Sequence, residues 1–416
     1  MSTDHAGTAA SGLKSVTIVG ASLAGHASAR ALRAQGFDGR ITMIGDEVHR
    51  PYDRPPLSKE FLTGRATLED LALEADDEQL DVEWILGTRA LSLDCPERLV
   101  TLSTGQSVRS DAVMIATGSV ARRFDRMIDG VHTLRTVEDA VALRADLVPG
   151  ARLVVAGSGF IGLEVASAAR ALGVDVTVLG SSQWPLSRTF GDTVAATVQR
   201  LQESRGVRVR NNVIVDAVLG TDRVTGVRLS TGEQIDADVV VLGIGSRPAV
   251  GWLGESGLDV RAGVVCDEFG ATAAPGILAV GDCAAWFDPI RGRAHRIEHW
   301  TDSRDRPSIS VARLLSGRTP RQGLRPSYLW SDQCGSRIQF AGRLLGGEEL
   351  TIEAGGVETG DLLMVYRRGG NPVAAVGFNQ TRLMAQWRKS LTVSAASVSP
   401  PATVPVAEPL SQPFGA

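Results

Sequence analysis

Cysteine is scarce in this chain: four among 416 residues, Cys95, Cys266, Cys283 and Cys334. None pairs with another at C-x-x-C or C-x4-C spacing, which argues against a disulfide framework and against a self-contained iron–sulfur cluster. They read as buried free thiols, and no metal site is expected. No stretch reaches 18 uncharged apolar residues, so no transmembrane helix and no membrane partner are expected. Residues 1–12 are small and polar and lack the basic-then-apolar order of a secretory signal, which makes the cytoplasm the expected compartment. An excess of basic charge is missing as well. The net charge is −4 and the pI about 5.9, which argues against a nucleic-acid partner.

What is present is an average globular composition, 43% hydrophobic and 22% charged, at a length that predicts two or three domains. Residues 15–20 read as a buried strand, 24–35 as a helix and 40–45 as a second strand, a βαβ unit. The pattern returns 137 residues later, with strands at 152–156 and 175–179 around an Ala-rich helix at 161–172. Repeated mononucleotide-binding units predict two nucleotide sites. Further apolar strands are expected at 111–116, 236–244 and 276–281. From Tyr328 to about Val376 the texture turns to alternating residues with Gly-rich turns, read as a smaller, partly antiparallel third domain. Residues 394–416 are Ser-, Pro-, Ala- and Val-rich and read as a disordered tail.

Both units carry a glycine-rich turn between strand and helix. The first is Gly20-Ala-Ser-Leu-Ala-Gly25, in which Ser22 stands at the middle glycine position. Asp46, just past the second strand, is the candidate acceptor for a ribose hydroxyl. The second is Gly157-Ser-Gly-Phe-Ile-Gly162, with Gly157, Gly159 and Gly162 all in place. Such turns let the backbone approach a pyrophosphate at a helix N-terminus. After the second unit's strand the chain runs Gly180-Ser-Ser-Gln-Trp184, with no carboxylate and no nearby base; Arg188 is the first. NADH is therefore expected ahead of NADPH, with affinity left open. Two such turns in one chain suggest a flavoenzyme, one for FAD and one for NAD(P). Ala116-Thr117-Gly118 and Gly281-Asp282 are similar in placement to the closing contacts of FAD/NAD two-domain reductases.

On these motifs the chain resembles the FAD-dependent ferredoxin reductases that serve bacterial cytochromes P450 and ring-hydroxylating dioxygenases. The most specific stretch is Arg50-Pro-Tyr-Asp-Arg-Pro-Pro-Leu-Ser-Lys59. It is followed by 157–166, by 278–284 through 294–300, and by Trp330-Ser-Asp-Gln333. The resemblance runs from about Val16 to Trp387. It implies an α/β fold of the glutathione-reductase type, two Rossmann-like nucleotide-binding domains plus a C-terminal α+β domain. The implied domains are 13–124 with 247–326 for FAD, 125–246 for NAD(P), and a 327–393 interface domain.

The resemblance also implies roles. Gly20, Ser22, Ala24, Gly25 and Asp46 fall at the FAD pyrophosphate and ribose, Ala90 at the adenine, and Arg135 on FAD. Thr117, Gly118, Gly281 and Asp282 fall at the closing contacts, Asp282 on the ribitol, and Trp300 beside the isoalloxazine. Gly157, Gly159 and Gly162 form the NAD turn, with Phe160 beside the nicotinamide. Lys59, near the flavin N5, and Glu164, its ion-pair partner facing the nicotinamide, are the catalytic candidates. A merely structural ion pair is the alternative for these two.

Three departures stand out. Gly180 replaces the family's acidic residue, Trp184 stands near its arginine, and Asp302-Ser-Arg-Asp-Arg-Pro307 replaces a small, Gln-containing stretch. Residues 40–65 hold no cysteine, so the flavin is expected to pass electrons on without a thiol relay. Nine arginines against three acids between Arg291 and Arg325 suggest a basic face for an acidic [2Fe–2S] ferredoxin, or solvated arginines with internal pairs. The implied activity is NAD(P)H:ferredoxin reduction through FAD. The alternatives are a flavin-dependent oxidase or reductase of a small molecule with a weakened nicotinamide site, and a non-catalytic flavoprotein.

Overall fold

The computed structural model describes residues 12–75, 78–317 and 326–395. The expected tail at 394–416 lies almost wholly outside the described residues.

Apolar β-branched runs form two five-stranded parallel sheets. Strands β1 (Ser15–Val19), β2 (Arg40–Ile44), β3 (Val82–Ile85) and β4 (Ala112–Ile115) belong to the first. Strands β5 (Val131–His132), β6 (Arg152–Ala156), β7 (Asp175–Leu179), β8 (Arg208–Arg210) and β9 (Val239–Leu242) make the second. The chain then returns, and β10 (Ile277–Ala279) completes the first sheet. The orders are β10-β4-β1-β2-β3 and β8-β7-β6-β9-β5. Every residue of β4 and β9 is buried, as parallel strands covered on both faces require.

Helix α1 (Leu23–Ala34) crosses from β1 to β2, and α3 (Phe160–Ala171) crosses from β6 to β7; α2 (Val137–Asp146) opens with a capping box at Thr136 and Asp139. The two crossovers are near copies. Val19 stands opposite Ile44, and Ala156 opposite Leu179, so the turns at Gly20 and Gly157 occupy corresponding positions. A Cβ on Gly20 would lie 2.2 Å from the Ala116 carbonyl, and one on Gly157 2.2 Å from the Gly243 carbonyl. Both glycines also have positive φ, +119° and +112°. Each turn therefore sits where its sheet's strand order reverses, the crevice in which open α/β sheets bind ligands.

The third sheet is antiparallel. Strands β11 (Tyr328–Gln333), β12 (Ser336–Gly342), β13 (Glu349–Gly355), β14 (Leu362–Arg368) and β15 (Asn371–Phe378) are ordered β11-β12-β15-β14-β13. Helix α4 (Trp300–Ser316) leads into it and α5 (Thr381–Ala395) packs on it. One apolar cluster decides where the catalytic candidates fall. It joins Leu57, Phe61 and Leu62 of the 52–62 loop to Leu163 and Val165 of α3 and to Ile338 and Phe340 of β12. Burial of these side chains pins a loop of the first unit against the second unit's helix.

Candidate functional site

A cavity of about 470 Å³ runs from the first glycine turn to the junction of the two units. Gly20, Ser22, Ala24, Asp46, Lys59, Ala90, Thr117, Gly118, Arg135, Phe160, Glu164, Asp282 and Trp300 all line it. Gly25 and Gly281 lie behind the wall. A Cβ on Gly25 would sit 1.9 Å from the Gly20 carbonyl, and one on Gly281 2.7 Å from the Ala24 Cβ. Their role is close packing of α1 on the turn. Gly157, Gly159 and Gly162 do not line this cavity; their turn sends Phe160, Ile161 and Glu164 into it.

The floor at the first turn fits a dinucleotide. No side chain caps α1: its N-cap Ser22 accepts a hydrogen bond from Arg54 Nε at 3.1 Å instead. The first-turn N–H groups stay available to an anion. Asp46 is exposed at the cavity wall, while neighbouring Glu47 is held by Arg54 (2.5 Å) and the Tyr52 hydroxyl (2.5 Å). Arg54 also donates to the Arg135 carbonyl at 2.6 Å. One largely buried guanidinium thus joins the glycine turn, the acidic strand end and the Arg135 segment.

At the far end Lys59 Nζ donates to Glu164 Oε2 at 2.7 Å and to the Pro55 carbonyl at 3.0 Å. Ser58 Oγ donates to Glu164 Oε2 and Ser331 Oγ to Glu164 Oε1, each at 2.5 Å. The Lys59 and Glu164 side chains are only 10% and 6% exposed. A buried carboxylate with three donors is well satisfied, so the pair is fixed in place. Asp282 is clamped by Arg135 Nη2 (2.9 Å), Ser303 Oγ (3.1 Å) and Ser119 Oγ (3.3 Å).

Trp300 opens α4 and donates its indole N–H to Asp53 Oδ1 at 2.6 Å. Burial pushes the Asp53 carboxyl above its ordinary range, against the Trp300 hydrogen bond and the Lys59 charge. Trp330 meets Trp300 edge-on, centroids 5.4 Å apart, and Arg304 lies over the Trp300 ring at 4.8 Å. Phe160 is held edge-on by Phe190 at 5.6 Å.

None of the four cysteines lines the cavity, and all four are buried. Desolvation raises each thiol's pKa, so none is a ready thiolate. Among the described residues no cluster of His, Cys, Asp or Glu could hold a metal ion.

Residues 14–306 match the family model described as pyridine nucleotide-disulphide oxidoreductase. The chain belongs to this family. Residues 328–412 match the reductase C-terminal model. Within the family the chain is 36% identical over 378 residues to the ferredoxin–NAD(+) reductase component of the biphenyl dioxygenase system of Paraburkholderia xenovorans (strain LB400). That match covers 89% of this chain and 91% of the relative. It is 35% identical to rhodocoxin reductase of Rhodococcus erythropolis, over 91% of this chain and 89% of the relative. The crystal structure of putidaredoxin reductase in covalent complex with putidaredoxin superposes with a TM-score of 0.86 at 31% identity, covering 91% and 93% of the two chains. The cavity lies where the two glycine-turn units meet, and none of the four cysteines is among its lining residues.

Several contributors went unassigned in the sequence reading. Ser58 and Arg54 lie inside the Arg50–Lys59 stretch and Ser331 inside Trp330–Gln333, so the motifs contained them without revealing their partners. The Arg291–Arg325 run resolves into several environments. Arg291 pairs with Asp288, Arg296 with Glu298, Arg304 with Asp305, and the buried Arg306 with Asp302. Arg318, Arg321 and Arg325 lie outside the described residues. Among the described residues no helix is long and apolar enough to cross a membrane.

Proposed function

We propose that the protein is an FAD-dependent NAD(P)H:ferredoxin reductase supplying a cytochrome P450 or a ring-hydroxylating dioxygenase. The observation that carries the reading is the Lys59–Glu164 pair, buried in the cavity where the loop of one dinucleotide unit meets the helix of the other. Bound FAD supplies the conversion of a hydride into single electrons for a [2Fe–2S] ferredoxin. The residues fit it. The uncapped α1 N-terminus and Gly20 hold the pyrophosphate, Asp46 a ribose hydroxyl, and the clamped Asp282 the ribitol.

Lys59 places a fixed positive charge where negative charge develops on reduction, and needs no reorganisation to do so. Ser58 and Ser331 keep Glu164 oriented to hold that ammonium. Phe160, braced by Phe190, orients the nicotinamide. Trp300, anchored through Asp53, closes the other side against water. The face offered to an acidic ferredoxin lies around Trp300, where the exposed Arg304 stacks on the ring while paired with Asp305. The cytoplasm is the compartment this reading assigns.

Anaerobic titration with NADH and NADPH tests the first half-reaction, with bleaching of the flavin band expected. Cytochrome c reduction that depends on an added [2Fe–2S] ferredoxin tests the second. Bleaching by dithionite alone would instead favour a flavoenzyme redirected to a small molecule, the reading that the uncharged end of the second unit would then support.

A further inference from the structure

The two βαβ units part company at one place. Past β2 the chain reads Gly45-Asp46, and past β7 it reads Gly180-Ser181 at the corresponding positions, since Ile44 and Leu179 hold the same register in their units. In dinucleotide-binding units a carboxylate here accepts the adenosine ribose hydroxyl and repels a 2′-phosphate. The first unit has Asp46. The second has Gly180 and an exposed Ser181, neither of them a carboxylate.

Gly180 does not owe its identity to backbone conformation, because its φ is ordinary. Space decides it. A Cβ there would fall 2.5 Å from Ser158 Oγ and 3.8 Å from Asn211 Oδ1. Asn211 is fixed beside it: Gly180 N–H donates to the Arg210 carbonyl at 2.9 Å, and Val213 N–H to the Gly180 carbonyl at 3.0 Å. The Asn211 amide N–H donates to Gln199 at 2.6 Å, while its Oδ1 is buried without a donor. The base on the neighbouring strand, Arg210, is committed to both carboxylate oxygens of Glu233, at 2.6 and 2.8 Å. An unpaired amide acceptor and a hydroxyl therefore take the place of a charge.

We propose that the second dinucleotide site reads the adenosine ribose with neutral groups, Asn211 and Ser158, and so separates NADH from NADPH only weakly. The inference rests on the NAD(P)H-dependent reading above. A neutral acceptor discriminates less than a charged one, which predicts dissociation constants for the two forms within about tenfold of each other. Asn211 Oδ1 is covered in the unliganded site, so a ribose hydroxyl reaches it once the side chains over it shift, and then supplies the donor it lacks. A 2′-phosphate meets no carboxylate at Ser158, Gly180, Ser181 or Asn211.

The test is calorimetric titration of the oxidised holoenzyme with ADP-ribose and with 2′-phospho-ADP-ribose, ligands that transfer no hydride. Both are expected to bind with similar affinity. The double substitution Ser158→Gly, Gly180→Glu clears the space and installs a carboxylate, and should weaken the 2′-phospho ligand relative to ADP-ribose by at least about tenfold. Asn211→Leu should weaken ADP-ribose several-fold. A native preference above about a hundredfold in either direction overturns the inference while leaving the reductase reading intact. Unchanged ADP-ribose binding in Asn211→Leu also overturns it. Failure of both ligands to bind, together with a flavin that neither NADH nor NADPH bleaches, overturns the reductase reading with it.

Discussion

Lys59 and Glu164 stand 105 residues apart in the chain and 2.7 Å apart in space. One comes from a loop of the first dinucleotide unit, the other from the helix that opens the second. The Leu57, Phe61 and Leu62 side chains packed against Leu163 and Val165 bring them together. The catalytic candidate pair is thus a product of interdomain packing.

Lys59→Met should keep its FAD and lose speed. The FAD contacts assigned to the first unit remain, while the cation at the reacting end is gone. Stopped-flow reduction by NADH should slow by roughly a hundredfold, with the flavin-to-protein absorbance ratio unchanged. Loss of bound FAD would show that Lys59 serves the cofactor's binding instead. Glu164 is left as an unpaired buried carboxylate, so the variant should also lose about 3 kcal/mol of stability, recovered in part by adding Glu164→Gln.

Arg54→Leu strikes a different function. It removes the donor to Ser22, to Glu47 and to the Arg135 carbonyl, which together fix the rim of the first turn. FAD is expected to dissociate on gel filtration, and thermal unfolding without added FAD should come several degrees earlier. Full retention of the flavin would place the FAD pyrophosphate elsewhere.

Two glycines of the second turn should behave oppositely. A Cβ on Gly162 would meet the Gly157 carbonyl at 2.4 Å, whereas one on Gly159 has open space around it. Gly162→Ala should cost about 1–3 kcal/mol in urea unfolding, because α3 can no longer pack down on its turn. Gly159→Ala should unfold like the native protein yet bind ADP-ribose more weakly, since the open space is the approach a pyrophosphate needs.

Asp53 gives a pH dependence of known sign. Burial raises its folded pKa, so the native state holds this proton more tightly than the unfolded chain does. Ionised Asp53 therefore costs stability, a penalty absent below the unfolded value of about 3.9 and complete once pH exceeds the folded value. Asp53→Asn, which keeps an acceptor for Trp300, should be more stable than the native protein at pH 7, with the gain vanishing towards pH 4. Urea unfolding at both pH values checks this; an equal gain at both would remove the titration from the explanation.

The sequence by itself determined the two βαβ units, their glycine turns and the lack of closely paired cysteines. These are local signals. Buried parallel strands read as continuous apolar runs, a strand-to-helix turn with φ near +110° demands glycine, and cysteine can be counted. The expected helix at 24–35 is observed at Leu23–Ala34, and that at 161–172 at Phe160–Ala171, one residue earlier at each end.

Only the tertiary structure decided who meets whom. Ser331 reaches Glu164 across 167 residues, and Arg135 reaches Asp282 across 147. Four arginines of the 291–325 run, which composition left open as a basic face, turn to nearby carboxylates. Asn211 carried no signal at all in the sequence; it matters because β8 lies beside β7 and leaves its oxygen beside Gly180. Local pattern fixes the elements, since backbone geometry depends on neighbours in the chain. The chemistry depends on side chains that burial of apolar surface draws together from distant segments, and no local pattern records that.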